Sequence, residues 1–425
     1  MKIAIVGAGI AGLTCARELH ADHDVTVYER ESRLGGHSNT VVVRHEGRDI
    51  SVDTGFIVYN VRNYPLFSRM LGELGVRTQD APMSFSVRCD KSGLEYGGET
   101  VGGVFAQPLN ALRPSFLRML LQIARLGKTG SRLMDEVDDT TTLREACERA
   151  GFSRRMVEHY LLPMGGAIWS APREAMLEFP AKFFLRFFEH HGMLDLRKRP
   201  RWRTVTGGSR EYVERLTSSF ADRCRVGCAA RGVRRTALGV IVRTAAGEEA
   251  MYDEVILATH SDQALGLLQD ATGAEREVLR AMPYQPNEAV LHTDSSVLPR
   301  NRRAWSGWNY RMPEGDDAPV AVTYNMTMLQ TLDTRTPICV TLNNATSIDP
   351  ARVLGRFQYH HPVYTVAGIA ARARWAQISG TSGVHYCGAY WFNGFHEDGV
   401  RSAMRVCETV RERVGADSRR AEVMA

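Results

Sequence analysis

Two stretches of this chain set chemically capable residues at telling spacings. Near the C-terminus "GFHEDGVRSA", Gly394 to Ala403, places His396 beside Glu397 and Asp398. A metal site of the H-E-x-x-H kind needs a second histidine four positions after the first, and position 400 is Val400. No metal is expected. An acid/base pair of Glu397 and Asp398 is disfavoured because sequence neighbours diverge on any regular element. The stretch reads instead as a helix start with Asp398 as N-cap. Gly399, Val400 and Ala403 are compact enough for that helix to press on a flat cofactor. His396 remains the acid/base candidate, since an unperturbed imidazole titrates near neutrality.

The second stretch, "KIAIVGAGIAGLTCARELHADHDVTVYERESRLGGH", opens the chain. Lys2 to Val6 is a β-branched run suited to a buried parallel strand. Gly7, Gly9 and Gly12 form a G-x-G-x-x-G turn around Ala11: the first permits the bend, the second lets a pyrophosphate approach, and the third lets a helix pack closely. The helix that follows aims its N-terminal N–H groups at the diphosphate. "DVTVYE" is the second strand, ending in Glu29 and followed by Arg30. A carboxylate there accepts from ribose hydroxyls and repels a 2′-phosphate, which favours FAD or NAD over NADP.

Composition limits the rest. The chain has 425 residues, 44% hydrophobic and 24% charged, the make-up of an ordinary globular enzyme of two domains. Its eight cysteines form no CxxC pair and no zinc-spaced cluster, so they read as reduced thiols of a cytoplasmic protein. No run of 18 apolar residues is present, so no membrane-spanning helix is expected. The net charge is +5, with basic clusters in "ALRPSFLRMLLQIARLGK" and "RKRPRWR". Solvated surface and contact with an anionic membrane both fit these clusters; nucleic acid does not, for want of any recognition motif.

After Glu29 a second glycine pair, Gly35 and Gly36, precedes His37 and Ser38. With this continuation the chain resembles the FAD-dependent amine oxidase superfamily, which includes amine oxidases, phytoene-type desaturases and protoporphyrinogen oxidase. The resemblance extends through "VDTGFIVYN" (with Gly55, Phe56 and Tyr59), "RWRTVTGGSREYVERL" (with Gly207 and Gly208), Val226 on the adenine side, "YDEVILATHSDQA", and "VHYCGAYWFNGFHEDGVRSAM" (with Gly388). It implies an α/β fold: a Rossmann-type FAD-binding domain of the GR2, amine-oxidase-like kind and a discontinuous α+β substrate domain. The FAD domain is expected from 1–85, 200–270 and 375–425, and the substrate domain from 86–199 and 271–374. It also implies non-covalent FAD held by Gly7, Gly9, Ala11, Gly12, Glu29, Arg30, Gly35, Gly36, His37, Ser38, Gly55, Phe56, Gly207, Gly208, Val226 and Gly388. The C-terminal Glu397, Asp398, Gly399 and Val400 complete that set, Glu397 standing in for the acid that Ala389 replaces.

Many relatives have an arginine where this chain has His37. Typical amine-oxidising members hold a water near flavin N5 with a lysine from the second half of the chain, and this sequence has no lysine after Lys198. The segment "FPAKFFLRFFEHHGML" offers a broad aromatic helix face, and "LLPMGGAIWSAP" reads as a helix broken at Gly165 and Gly166 beside Trp169. A lining rich in Phe, Met and Trp suits a long apolar ligand. Trp169, Phe184, Trp308 and Tyr324 are the expected lining, with Tyr59, Tyr390, Trp391 and His396 nearest the chemistry. The histidines of "QYHHP", His360 and His361, read as a surface or turn pair.

"GGHSNTV", "IWSAP" and "CGAYWFNGFHEDGV" resemble a bacterial subgroup that modifies unsaturated fatty acids, including the desaturase of furan fatty acid biosynthesis, which works beside a methyltransferase. That resemblance implies dehydrogenation of a monounsaturated acyl chain to a conjugated diene, by hydride transfer to flavin N5 and reoxidation by oxygen. The implied partners are a lipid or fatty acyl substrate and that methyltransferase; the basic, half-apolar helix expected at 111–128 suits peripheral contact with the inner membrane. A redox-neutral double-bond isomerase, a flavin amine oxidase, a carotenoid-type desaturase and a non-catalytic flavin-binding protein stay open as alternatives.

Overall fold

The computed structural model describes residues 1–194, 200–314 and 321–424, with side chains to 413. Most of the basic "RKRPRWR" cluster therefore lies outside the described residues. A parallel sheet runs in the order Cys224–Arg225, Asp24–Tyr28, Lys2–Val6, Glu254–Leu257, Val384–Tyr386. Ile3, Ala4, Ile5, Val255, Ile256 and Leu257 in its middle are fully buried, as both-face burial of a parallel sheet requires. The strands come from the beginning, middle and end of the chain, so the sheet exists only after distant segments meet. Helices Ile10–Leu19 and His396–Met424 pack against each other beside it.

A second sheet of seven strands runs in the order Val353–Pro362, Tyr284–His292, Cys339–Leu342, Ala321–Asn325, Trp308–Met312, Phe85–Cys89, Leu94–Gly97. It is antiparallel except where Trp308–Met312 pairs parallel with Phe85–Cys89. The stretch from 101 to 190 is mostly helical. Its longest helix, Pro114–Glu136, buries Phe116, Met119, Leu126 and Leu133 against the helix Ala181–His190 and its neighbours.

The helix Leu162–Trp169 runs through Gly165 and Gly166, so the expected break there is incorrect. A Cβ on Gly165 would stand 2.5 Å from Met176 Cε and 3.0 Å from Phe184, and one on Gly166 would meet Tyr310 at 3.3 Å. The pair is required by close packing. The helix ends one residue later, at Ser170, in the left-handed conformation (φ 53°). Among the described residues no helix is long and apolar enough to cross a membrane.

Candidate active site

The N-terminal glycines build a cradle whose steric demands differ position by position. Gly7 has φ +104°, and a Cβ on it would lie 2.7 Å from Ala258 O. A Cβ on Gly12 would lie 1.9 Å from Gly7 O, so the helix could not start where it does. Gly9 differs: nothing lies within 4 Å of its ideal Cβ. Its glycine is unnecessary for packing of the chain alone and leaves room for a group that approaches the backbone. No side chain caps the helix that begins there, so its first-turn N–H groups are available to an anion.

The other segments of the expected set converge on Gly9 to different degrees. Gly35 forms a bridge with Gly9 and donates its N–H to Ala8 O, and Gly36 packs on Gly9 Cα. Gly55 packs on His37 O, which accepts from Phe56 N–H at 2.7 Å. The Glu29 carboxylate accepts from Ala8 N–H at 2.8 Å and Glu31 N–H at 2.9 Å, one strand over from the cradle. Its backbone is flanked by Arg225 and Cys228, which puts Val226 beside it at the sheet edge. Arg30 points into solvent, paired with Glu31. Gly399 presses on Ile10, 2.7 Å from its Cγ2 for an ideal Cβ, so two helix N-termini meet around Ala11 and buried Val400. Gly388, at φ +153° against Tyr390, donates its N–H to Ser402. The open Cβ position at Gly9, the uncapped helix and the placed carboxylate fit the diphosphate and ribose of a dinucleotide.

Several expected site residues serve other purposes. Gly207 is exposed and Gly208, at φ +99°, packs on Thr40; with Ser209 they cap the helix Arg210–Thr217, Ser209 N–H and Oγ donating to buried Asp53. Ser38 Oγ is engaged by Tyr212 and His396. Both oxygens of Glu397 accept from Leu66 and Phe67 N–H, at 3.0 and 2.9 Å, which caps the helix Pro65–Glu73 and leaves Glu397 no role as a ribityl acid. The C-terminal helix begins at His396, so Asp398 is in its first turn and is not its N-cap; its carboxylate reaches back to Phe395 N–H. Burial raises the Asp398 pKa to about 7.

His396 is likewise displaced from the role expected of it. Its ring stacks on Phe56 at 3.6 Å, meets Phe67 edge-on, and hydrogen-bonds Ser38 and Tyr212 through Nε2 at 2.9 Å. Burial, reinforced by His37, drives its pKa well below the ordinary value. It is a neutral interior post whose Nε2 is already engaged by Ser38 and Tyr212. Tyr59 packs beside it, edge-on to Phe67 and Tyr64.

The imidazoles that do gather come from segments that read as unremarkable. His361 lies 5.7 Å from His37 and hydrogen-bonds Ser170 Oγ through Nδ1; His360 lies 5.8 Å from His260, which stacks on Tyr284 at 4.1 Å. Tyr284 reaches Tyr390, and Tyr390 reaches Trp391. The reading of His360 and His361 as a surface pair is therefore wrong. Strand Val353–Pro362 is long enough to carry them inside, in register with Pro286 and Gln285. Burial lowers His37 to about 4 and His260 and His361 to about 3, so all three are neutral at physiological pH. These rings are half-buried, as are Tyr284 and Tyr324.

Farther out lies a cluster of aromatic rings. Trp169 contacts Phe179, Phe183, Phe184 and Phe187; Phe183 stacks on Tyr364; Phe187 stacks on Phe395. Phe184 is fully buried core, whereas Phe183 is only half-buried and stacks between Tyr364 and the Arg372 guanidinium. Trp308 meets Tyr324 edge-on. Trp169 Nε1, Trp308 Nε1, Tyr364 OH, Tyr390 OH and Trp391 Nε1 are buried without hydrogen-bond partners among the described residues, polar groups that a bound molecule can satisfy. Among the described lysines, Lys2, Lys91 and Lys128 are exposed and Lys182 pairs with Asp139 at 3.2 Å; none enters this interior.

A family model described as flavin containing amine oxidoreductase matches residues 10–351. The chain belongs to that family. It is an FAD-dependent oxidoreductase, and the cradle around Gly9 is where the residues fit the cofactor. The fold is shared by wild-type putrescine oxidase bound to putrescine (TM-score 0.69, 14% identity, covering 97% of this chain and 99% of that one). Cyclohexylamine oxidase from Brevibacterium oxydans IH-35A gives a TM-score of 0.69 at 14% identity, with coverages of 97% and 99%. A CLA-producing fatty acid isomerase from P. acnes gives 0.68 at 15%, with coverages of 96% and 98%.

Proposed function

We propose that the protein dehydrogenates a long unsaturated acyl chain, as a fatty acid or phospholipid acyl group, to a conjugated diene. One observation carries the reading: aromatic rings and neutral imidazoles from separate segments gather beside buried polar atoms without partners, and no lysine among the described residues reaches them. Bound FAD supplies a two-electron acceptor that takes a hydride at N5 and is reoxidised by oxygen. An allylic C–H is too weak an acid for any side-chain base, so hydride must leave first. The faces of Trp169, Phe183 and Phe187 exclude water and favour the cationic character that then develops. Loss of a neighbouring proton from such a cation needs only a weak base. With His361 Nδ1–H donating to Ser170, its Nε2 presents a lone pair for that proton, a role this reading moves from His396 to His361. Tyr59, Tyr390 and Trp391 belong to the wall beside the cofactor. The division into 1–85, 200–270 and 375–425 against 86–199 and 271–374 is part of the same reading, as is a methyltransferase acting on the product.

A redox-neutral isomerase is the second reading, supported by the shared fold of the CLA-producing isomerase. The test is lipid extraction from cells making the protein, with acyl chains resolved by mass and double-bond position. Accumulation of a conjugated diene two hydrogens lighter than its precursor supports dehydrogenation. Shifted double bonds at unchanged mass support isomerisation, and unchanged lipids contradict both.

A further inference from the structure

Residues 100–134 contain no acid, while Arg113, Arg118, Arg125, Lys128 and Arg132 fall within them. Only Arg132 has an ion-pair partner among the described residues, Glu136 at 3.4 Å; the other four cations have none. The same segment concentrates exposed apolar side chains. Of the eleven large hydrophobic residues that stand exposed among the described residues, Val101, Leu109, Leu112, Leu117 and Leu121 lie here, Val101 at 77%, Leu109 at 68% and Leu112 at 78% exposure. Helix Pro114–Glu136 thus has two apolar faces of different fate. Phe116, Met119, Leu126 and Leu133 are buried, and Leu117 and Leu121 point outward in one stripe with Arg118, Arg125 and Lys128.

We propose that this face docks on an anionic lipid bilayer. Leucines flanked by unpaired cations, with no acid to repel phosphate headgroups, are the composition of a helix that lies in the interface plane, with apolar side chains below the headgroups and cations among them. A protein partner complementary to the patch would have to bring both acids and an apolar surface; a bilayer containing anionic lipid supplies both everywhere. The inner face of the same helix packs on Ala181–His190, the helix that carries Phe183 and Phe187. The docked surface is therefore one helix removed from the aromatic space, which would let acyl substrate pass from membrane to site. The inference rests on the acyl reading only for that purpose, because docking itself needs no turnover.

Sedimentation of the holoprotein with vesicles tests it. Binding is expected on phosphatidylcholine mixed with phosphatidylglycerol, to be weak on phosphatidylcholine alone, and to fall with added salt. Removal of each cation, as in Arg118→Gln or Arg125→Gln, should lower the partition coefficient about fivefold, and Leu112→Ser or Leu117→Ser about tenfold. These positions are exposed, so melting temperature and flavin content should stay at the parent values. Absence of binding to anionic vesicles overturns the proposal, as does equal binding by Arg118→Glu/Arg125→Glu. A dimer abolished by Leu112→Ser/Leu117→Ser also overturns it, because the face would then join two copies. Vesicle binding with unchanged cellular lipids would retain the docking surface and discard the acyl reading; changed lipids without vesicle binding would do the reverse.

Discussion

The cofactor cradle and the aromatic space are built from opposite materials. Around Gly9 the chain closes by main-chain contacts: a Cβ on Gly7, Gly12, Gly35 or Gly36 would strike backbone, and one on Gly9 would strike nothing. Around Trp169 and His361 it closes by rings from five or more separate segments, several of them with unsatisfied polar atoms. The first arrangement can hold only one class of molecule. The second can be re-tuned ring by ring without disturbing the fold, and specificity therefore belongs in it.

Gly12 and Gly9 give the largest contrast. Gly12→Ala should prevent folding, because its Cβ would lie 1.9 Å from Gly7 O, and little soluble protein is expected. Gly9→Ala should fold, since its Cβ meets nothing, but lose bound FAD, with an affinity cost of about 1–3 kcal/mol from overpacking against the diphosphate. Yield, circular dichroism and flavin absorbance separate the outcomes. If Gly9→Ala keeps its flavin at parent affinity, the cradle is misplaced.

The second contrast is on one helix. Phe184→Ala removes a fully buried ring and should lower stability by about 3–5 kcal/mol. Phe183→Ala, at the half-buried neighbour, should cost less stability and raise KM for acyl substrate. Comparison of denaturant midpoints with KM decides it; equal stability losses would place both rings in the core. His396→Phe should cost about 1 kcal/mol by removing the Nε2 partner and leaving Ser38 and Tyr212 only their mutual hydrogen bond. It should leave the pH profile of turnover unchanged, whereas loss of a limb near neutrality would return His396 to acid/base work.

A further contrast is in pH. His37, His191 and His292 sit at about 4 and His260 and His361 at about 3, below the unfolded value of about 6.5. Between those limits the unfolded chain binds more protons, so unfolding free energy falls as pH drops from 6.5 toward 4, by up to about 1.4 kcal/mol per pH unit for each histidine. Asp53 and Asp398, raised to about 6 and about 7, act with the opposite sign, since their folded forms hold the proton. His396 is lowered in the same sense as these histidines and Glu397 is raised with the two aspartates, so the depressed histidines outnumber the raised carboxylates; His361→Phe should make thermal melts less steep in pH.

How much of this was legible follows the same division. The turn at Gly7–Gly12, the acid at Glu29 and the glycine pair at 35–36 obey local sterics, and a linear sequence shows those. His396 was misread because its chemistry is visible in sequence but its side-chain direction is not: as the first residue of its helix it points into Phe56 and Phe67. His360 and His361 were dismissed because their neighbours give no hint that a ten-residue strand carries them to His37 and His260. Gly165 and Gly166 suggested a break, where the demand came from Met176, Phe184 and Tyr310 across the domain. Glu397 looked free for the cofactor until the helix at Pro65 arrived to use both its oxygens.

The account's central claim is that this flavin is reduced by an acyl chain. The direct measurement is anaerobic mixing of purified holoprotein with a cis-monounsaturated fatty acid or a vesicle phospholipid, followed through the oxidised-flavin band and the conjugated-diene band. The account predicts bleaching of the first as the second grows, and recovery of the flavin band on admission of oxygen. Bleaching by putrescine or another amine, with none by any unsaturated acyl chain, would contradict it.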